Sequence, residues 1–420
     1  MAYDYDQIRQ RQLRRREEER KKKAQRKIRQ RKMLMGILAA VAVLGLCILV
    51  IALVRHASTP KPESVTIETS QPLNQPEEPE TVISIAFGGD LNITDRVVAA
   101  NPTLLFKDVV PLLAGADSAV VNFEGNLCGG PYGSEGTRAP VELAEALKAA
   151  GVDMVQLANS AALNNGLLGL TQTTENFRQL GLEPVGAFGS DEEFQRQKGF
   201  TLRSICGVKV AFVSFTKGMN DLGLPVGSEN RVNLLYTDYT STYQEVDTKG
   251  IKSILEAVAL EKPDITVALV HWGSEYNQQI SDSQRQIAKL MQDNGVDAIV
   301  GTHSHYVQQV EYNENAGTVV AWSLGDFLGD GDRAGTEYSL VLELEITRNN
   351  QTGKAKITDM DYTPIYTVKS DVEGDTTMKI LRIPQAITAY EADSIDKVSQ
   401  EVYNAMKSAL SKVEAKIVEE

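Results

Sequence analysis

The chain has 420 residues, of which 42% are hydrophobic and 24% charged, which excludes a disordered or fibrous protein. Its net charge of −13 averages two unlike parts: residues 1–32 hold fourteen Lys and Arg against five Asp and Glu, and the remainder is strongly acidic. With no basic cluster after Arg55, that acidic body argues against nucleic acid as a partner.

In chain order, residues 1–32 form a basic arm with Arg14-Arg15-Arg16 and Lys21-Lys22-Lys23, the pattern of a solvated helix lying near anionic headgroups. Met33 to Val54 then runs uncharged for 22 residues. As a helix it would span roughly 33 Å, enough to cross a hydrocarbon core. It is longer than a signal-peptide core and lacks a small-residue cleavage site, so we read a retained transmembrane helix. The positive-inside rule keeps the arm cytoplasmic and puts the rest of the chain outside the cell membrane. Residues 55–80, rich in Pro, Glu, Ser and Thr, cannot bury a core and read as a stalk.

From Thr81 the pattern becomes an α/β alternation. Strands are expected over 82–90, 118–126, 152–159, 208–216, 265–273, 296–305 and 318–327. Helices are expected over 141–151, 170–181, 248–262 and 282–295. Residues 338–347 and 353–369 alternate like antiparallel strands that complete an edge of the same sheet. The last part, 386–420, reads as a C-terminal helix with Ile395, Val398, Val402 and Met406 on the stripe that packs on its own domain, 81–385. Cys128 and Cys206 could pair in an oxidising compartment, but two cysteines do not make a disulfide framework, so buried free thiols are expected.

Polar residues collect where the apolar runs end: Asp90 and Asn92, Asn122 and Glu124, Asn159, His271 and Glu275, then His303 and His305. In open α/β sheets that edge is where ligands bind. Four histidines occur in the chain; His56 lies in the stalk and the other three sit at strand ends. Packing gives a core histidine no reason to prefer strand ends, whereas mixed His nitrogen and Asp, Glu or Asn oxygen suits Zn, Mn or Fe. Taken singly, Asp90 could cap a helix, Asn159 could hold a turn and Glu124 could be a surface carboxylate.

The order of GGDLNITDR (88–96), VVNFEGNL (120–127), LANSAALNNG (157–166), VHWGSEY (270–276), VGTHSHYVQQVEY (300–312) and AWSLGDF (321–327) resembles the bacterial CapA family. These are capsule or poly-γ-glutamate biosynthesis proteins within the calcineurin-like metallophosphoesterase superfamily. The resemblance covers about residues 82–330. It implies a four-layer α-β-β-α metallophosphatase-like sandwich, a membrane anchor, synthase or export partners and an anionic cell-surface polymer. It also implies one or two divalent ions: Asp90 as a ligand, Glu124 bridging, Asn159 and His271 on the second ion, and His303 and His305 divided between the two.

The sequence departs from the family at several positions. Ser160 stands where the family has a histidine that helps the departing group leave. A serine hydroxyl can donate a hydrogen bond but cannot act as an acid near neutral pH, and losing a general acid commonly costs about 10²–10⁴ in rate. Asn92 stands where the superfamily has a histidine ligand, Asn164 where an aspartate is common, and Asp326 where asparagine is frequent. His305 and Ser160 are then the catalytic candidates, with Asn92, Asn122, Glu275 and Asp326 behind the ligands. Three activities stay open: a metal-dependent hydrolase or transferase with an altered proton relay, a metal- or polymer-binding protein without turnover, and a scaffold for a membrane synthase.

Overall fold

A computed structural model describes residues 80–419 except 332, 371, 373, 396 and 397. The expected arm and transmembrane segment, and the stalk up to residue 79, fall outside the described residues. No helix among the described residues is long and apolar enough to cross a membrane.

The chain folds as a mixed α/β structure. Its strands are β1 (Glu80–Asn92), β2 (Ser118–Glu124), β3 (Met154–Gln156), β4 (Glu183–Val185), β5 (Phe200–Ile205), β6 (Val208–Thr216), β7 (Ile265–His271) and β8 (Ala298–Thr302). They continue with β9 (Val310–Asn313), β10 (Thr318–Ala321), β11 (Asp326–Leu328), β12 (Tyr338–Asn349), β13 (Ala355–Lys369), β14 (Met378–Arg382) and β15 (Ile417–Glu419). One sheet has the order β14-β13-β12-β1-β2-β3-β4, with β11 also paired to β1; the other runs β15-β9-β10-β8-β7-β6-β5.

Period-two alternation places the layers. On β1, Ile83, Ile85 and Phe87 enter a core shared with Val208, Val210 and Phe212 of β6 and Ile265, Val267 and Leu269 of β7, so the two sheets face each other. The intervening residues face outward: Ala86, Ala119 and Val121 meet Leu143 and Leu147 of helix Val141–Ala149 and Phe177 of helix Gly166–Gln179. Behind the second sheet, Ala211, Val213 and Val270 meet Ile251 and Leu255 of helix Thr248–Glu261 and Ile287 and Met291 of helix Asp282–Gln292. Ser281 caps the last of these in a reciprocal box with Gln284, a device whose loss typically costs about 1 kcal/mol.

Three expectations need correction. The strand expected over 318–327 is two strands in different sheets: β10 pairs with β8 and β9, and β11 pairs with β1, with Asp90 opposite Asp326. Gly325, at φ 79°, makes this crossing, and a Cβ on Gly89 would sit 1.9 Å from the Gly325 carbonyl oxygen. A side chain at 89 would push the two segments apart. The single helix expected over 386–420 is instead Ile383–Glu391, Gln400–Glu414 and the strand β15, which pairs with β9. Met406, Ala409 and Val413 bury in the core between the sheets, with Ile395, Val398 and Val402 packed partly against it. Finally, Cys128 and Cys206 are free thiols, but Cys128 is only half-buried and Cys206 is exposed on a turn at φ 48°.

Candidate metal centre

Register builds the site. In the first sheet β1 and β2 run parallel with Asp90 beside Asn122 and Asn92 beside Glu124. In the second, β7 and β8 run parallel with His271 beside Thr302. The polar ends of two facing sheets therefore meet, and His303 follows directly from β8.

The three imidazoles and the carboxylates come together. His271 and His303 lie 4.4 Å apart between ring centres, their planes tilted by 54°, with His305 6.4 Å from His303. Glu124, His271 and His303 form one group whose ligand atoms all lie within 4.8 Å of one another; Asp90, Glu124 and His305 form another. All five residues are buried, and Glu124 belongs to both groups. In this grouping His303 falls with His271, and His305 with Asp90.

The two groups differ in what already holds them. Asp90 accepts from Asn122 Nδ2 at 2.5 Å and from the His303 backbone N–H at 2.9 Å. His305 Nδ1 lies 2.8 Å from Asp326 Oδ1, and Asn92 also donates to Asp326. His271 Nδ1 lies 3.0 Å from Thr302 Oγ1. By contrast Glu124 Oε2, His271 Nε2 and His303 Nδ1 are buried with no hydrogen-bond partner among the described residues. An orphaned buried polar atom costs about 1–3 kcal/mol, and all three belong to one group of residues suited to a cation. The donor set fits a divalent ion of the Mn, Zn or Fe kind.

The backbone supports the same arrangement. His303 (φ 91°) and His305 (φ 60°) both adopt left-handed conformations, which cost of order 1–3 kcal/mol for residues other than glycine and persist only where the surroundings enforce them. The Asp90 carboxylate fixes the first of these turns through the His303 N–H. Tyr276, also left-handed at φ 56°, stacks on His305 at 5.0 Å, and the Arg333 guanidinium lies 3.7 Å from the centre of its ring.

Electrostatics follow from burial. Asp90 is pushed up to about 8, by its burial first and then by the Glu124 charge. Burial also raises Glu124 and Asp326. Burial lowers His271 and His303, helped by positive neighbours that include Lys217. His305 goes the other way: burial opposes its charge, but the hydrogen bond and charge of Asp326 hold it at about 10.

The remaining expected residues take distinct positions. Ser160 donates to Glu124 Oε1. Asn159 is buried next to the ligands, but its Nδ2 donates to Asn122 Oδ1 at 2.9 Å and to the Phe123 carbonyl at 2.8 Å, while its Oδ1 accepts from Ala161 N at 3.1 Å. Its oxygen thus accepts one bond within the turn and keeps a second lone pair. Glu275 lies exposed on the wall of a cavity of about 260 Å³ that Ser160 and His303 also line. Sequence reading missed Lys217 and Tyr243 in that cavity, and Thr302 behind His271. Lys217 directly follows β6, so the strand-end rule that found the histidines could have found it too.

The chain is 28% identical to the PGA biosynthesis protein CapA of Bacillus subtilis over 321 residues, covering 72% of this chain and 78% of that one. It is 28% identical to the capsule biosynthesis protein CapA of Bacillus anthracis over 213 residues, 50% of this chain and 48% of that one. Among solved structures it aligns with the calcineurin-like phosphoesterase YfkN of Bacillus subtilis at a TM-score of 0.41 and 15% identity, covering 80% and 98% of the two chains. Residues 84–331 match the family described as bacterial capsule synthesis protein PGA_cap, and the chain belongs to that family.

Proposed function

We propose that this chain is a membrane-anchored component of capsule or poly-γ-glutamate biosynthesis or export, with its folded domain outside the cell and a metal-dependent hydrolase- or transferase-type site where the strands end. The reading combines the family with one observation: Glu124 is common to two groups of buried ligand residues. Asp90 and His305 would serve one ion, His271 and His303 the other, with Glu124 between them. Asn159 would join His271 and His303 through the second lone pair of its amide oxygen. The finer architecture proposed is the four-layer α-β-β-α metallophosphatase sandwich behind one transmembrane helix at 33–54. Divalent ions would supply positive charge to polarise a phosphoryl or acyl oxygen and to acidify a water. The chain's own residues do the rest. Asp326 and Tyr276 orient His305, Thr302 orients His271, and the facing sheets exclude bulk water.

The second reading is a non-catalytic, polymer-binding or scaffolding member of a membrane synthase complex. Ser160 favours it, because its hydroxyl is committed to Glu124 and supplies no acid near neutral pH.

Full-length protein in detergent, loaded with Mn, Zn or Fe, separates the readings by elemental analysis and by turnover of phosphodiester and γ-glutamyl substrates. Metal with turnover supports the enzyme, metal without turnover the binding protein, and no metal the scaffold. If an enzyme lacking a general acid is the right description, Ser160→His raises kcat by up to about 10²-fold. Protease digestion of intact cells tests the orientation: the C-terminal domain should be cut and the basic arm spared.

A further inference from the structure

Next to the ligand residues lies the 260 Å³ cavity lined by Ser160, Lys217, Asp221, Tyr243, Glu275 and His303, among others. Its walls carry both signs of charge. The Lys217 ammonium donates to the Gly273 carbonyl at 2.8 Å and sits 4.5 Å from the centre of the Tyr243 ring, both neutral partners. A lysine has three N–H donors, so at least one remains for a ligand. Burial lowers the charge preference of Lys217, while Asp221 and Glu275 support it from a distance. Asp221 accepts from Tyr243 Oη at 3.1 Å through one oxygen and is otherwise exposed. Glu275 is exposed beside it. The opposite charges thus share a cavity without being spent on one another. His303, only 5% exposed and with an unpartnered Nδ1, lines the same cavity, so a ligand there abuts the metal-ligand cluster.

Neither sign alone explains this lining. A polyanion such as a free phosphate would meet Lys217 but also two carboxylates, and a simple cation would meet the reverse conflict. A group with a positive and a negative charge a few ångströms apart satisfies all three. We propose that this cavity is a subsite for the dipolar α-amino-acid end of a peptide-like polymer, with its carboxylate on Lys217 and its ammonium toward Asp221 and Glu275. This rests on the proposed function for the identity of the polymer and for placing the neighbouring linkage near the histidines; the preference for a dipolar group rests on the cavity lining alone. The subsite selects the chain end over an internal segment, because an internal unit has no free ammonium.

The test uses full-length protein in detergent and calorimetric titration with a γ-linked glutamyl dipeptide, its N-acetyl derivative, its N-terminal α-amide and inorganic phosphate, with and without Mn²⁺. The free dipeptide should bind at least tenfold more tightly than either blocked form. Lys217→Met should weaken the free dipeptide but not the α-amide, and the double variant Asp221→Asn/Glu275→Gln should weaken it but not the N-acetyl form. Equal binding of all three peptides, or phosphate binding as tightly as the dipeptide, overturns the proposal. The blocked peptides need no variant, so the result does not hinge on a substitution folding. Charge-selective binding without metal uptake or turnover would sink the enzyme reading and leave the subsite standing. Turnover that ignores both blocking groups would do the opposite.

Discussion

The two ligand groups share Glu124 yet are held in different ways. In the Glu124–His271–His303 group, one atom on each residue is buried and unpartnered, and burial keeps both imidazoles neutral. In the Asp90–Glu124–His305 group, protein hydrogen bonds and protons already occupy the seats: Asn122 and the His303 N–H on Asp90, Asp326 on His305. The first group has buried polar atoms that no described protein group satisfies. In the second, Asp90 and His305 are held by protein partners and by protons, which must leave for a cation to bind. The comparison teaches that two adjacent positions with nearly the same ligand chemistry need not fill together.

The strongest way to break this comparison is Glu124→Gln, which removes the shared carboxylate. Both ions should be lost from the purified protein, and elemental analysis that still finds one equivalent would show that the groups are independent. His271→Ala should empty only the first position, leaving one equivalent bound through Asp90 and His305. Asp326→Asn should leave the first position intact and weaken the second by roughly 10–100-fold, as loss of an outer partner of a ligating histidine does. Competition with a metal-sensitive dye reads both constants.

The smallest effect is in pH and stability without metal. Asp90 moves from an ordinary 3.8 to about 8 on folding. A carboxyl raised in this way favours the fold below its unfolded value, and that contribution is lost as pH rises from about 4 to 8. His305, raised from 6.5 to about 10, contributes below about 6.5 and loses that contribution up to 10. Metal-free protein should therefore melt at a lower temperature at pH 9 than at pH 6.5, and Mn²⁺ should raise Tm more at pH 9. A flat Tm across that range would mean the second group does not hold protons as described. At low pH, His271 and His303 act in the opposite sense, since charging them requires desolvating a cation.

Much of this was legible because strand ends announce themselves. The apolar runs stop at Asp90, Glu124, His271 and His303, and period-two alternation fixes which face each run buries. What was not legible depended on backbone angles and hydrogen-bond direction. Two histidines at i and i+2 would share a face on a regular strand; the left-handed turns at His303 and His305 divide them between two groups. Asn159 reads equally as ligand or turn former, and only the direction of its amide shows the oxygen on Ala161 N. Lys217 follows β6 as the histidines follow their strands, but a lysine at a strand end is ordinarily solvated, so position alone does not mark it. The short strand β4, with Pro184 at its centre, and the sheet change within 318–327 are set by tertiary pairing.

The contact between Gly89 and the Gly325 carbonyl has a genetic corollary. Neither residue has a side chain to offer a cation, yet Gly89→Ala would push apart the strands that carry Asp90 and Asp326, a displacement that no enlarged neighbour can restore. A selection for inactive variants should therefore return position 89 among the ligand mutants, and a second-site revertant for it should be rare.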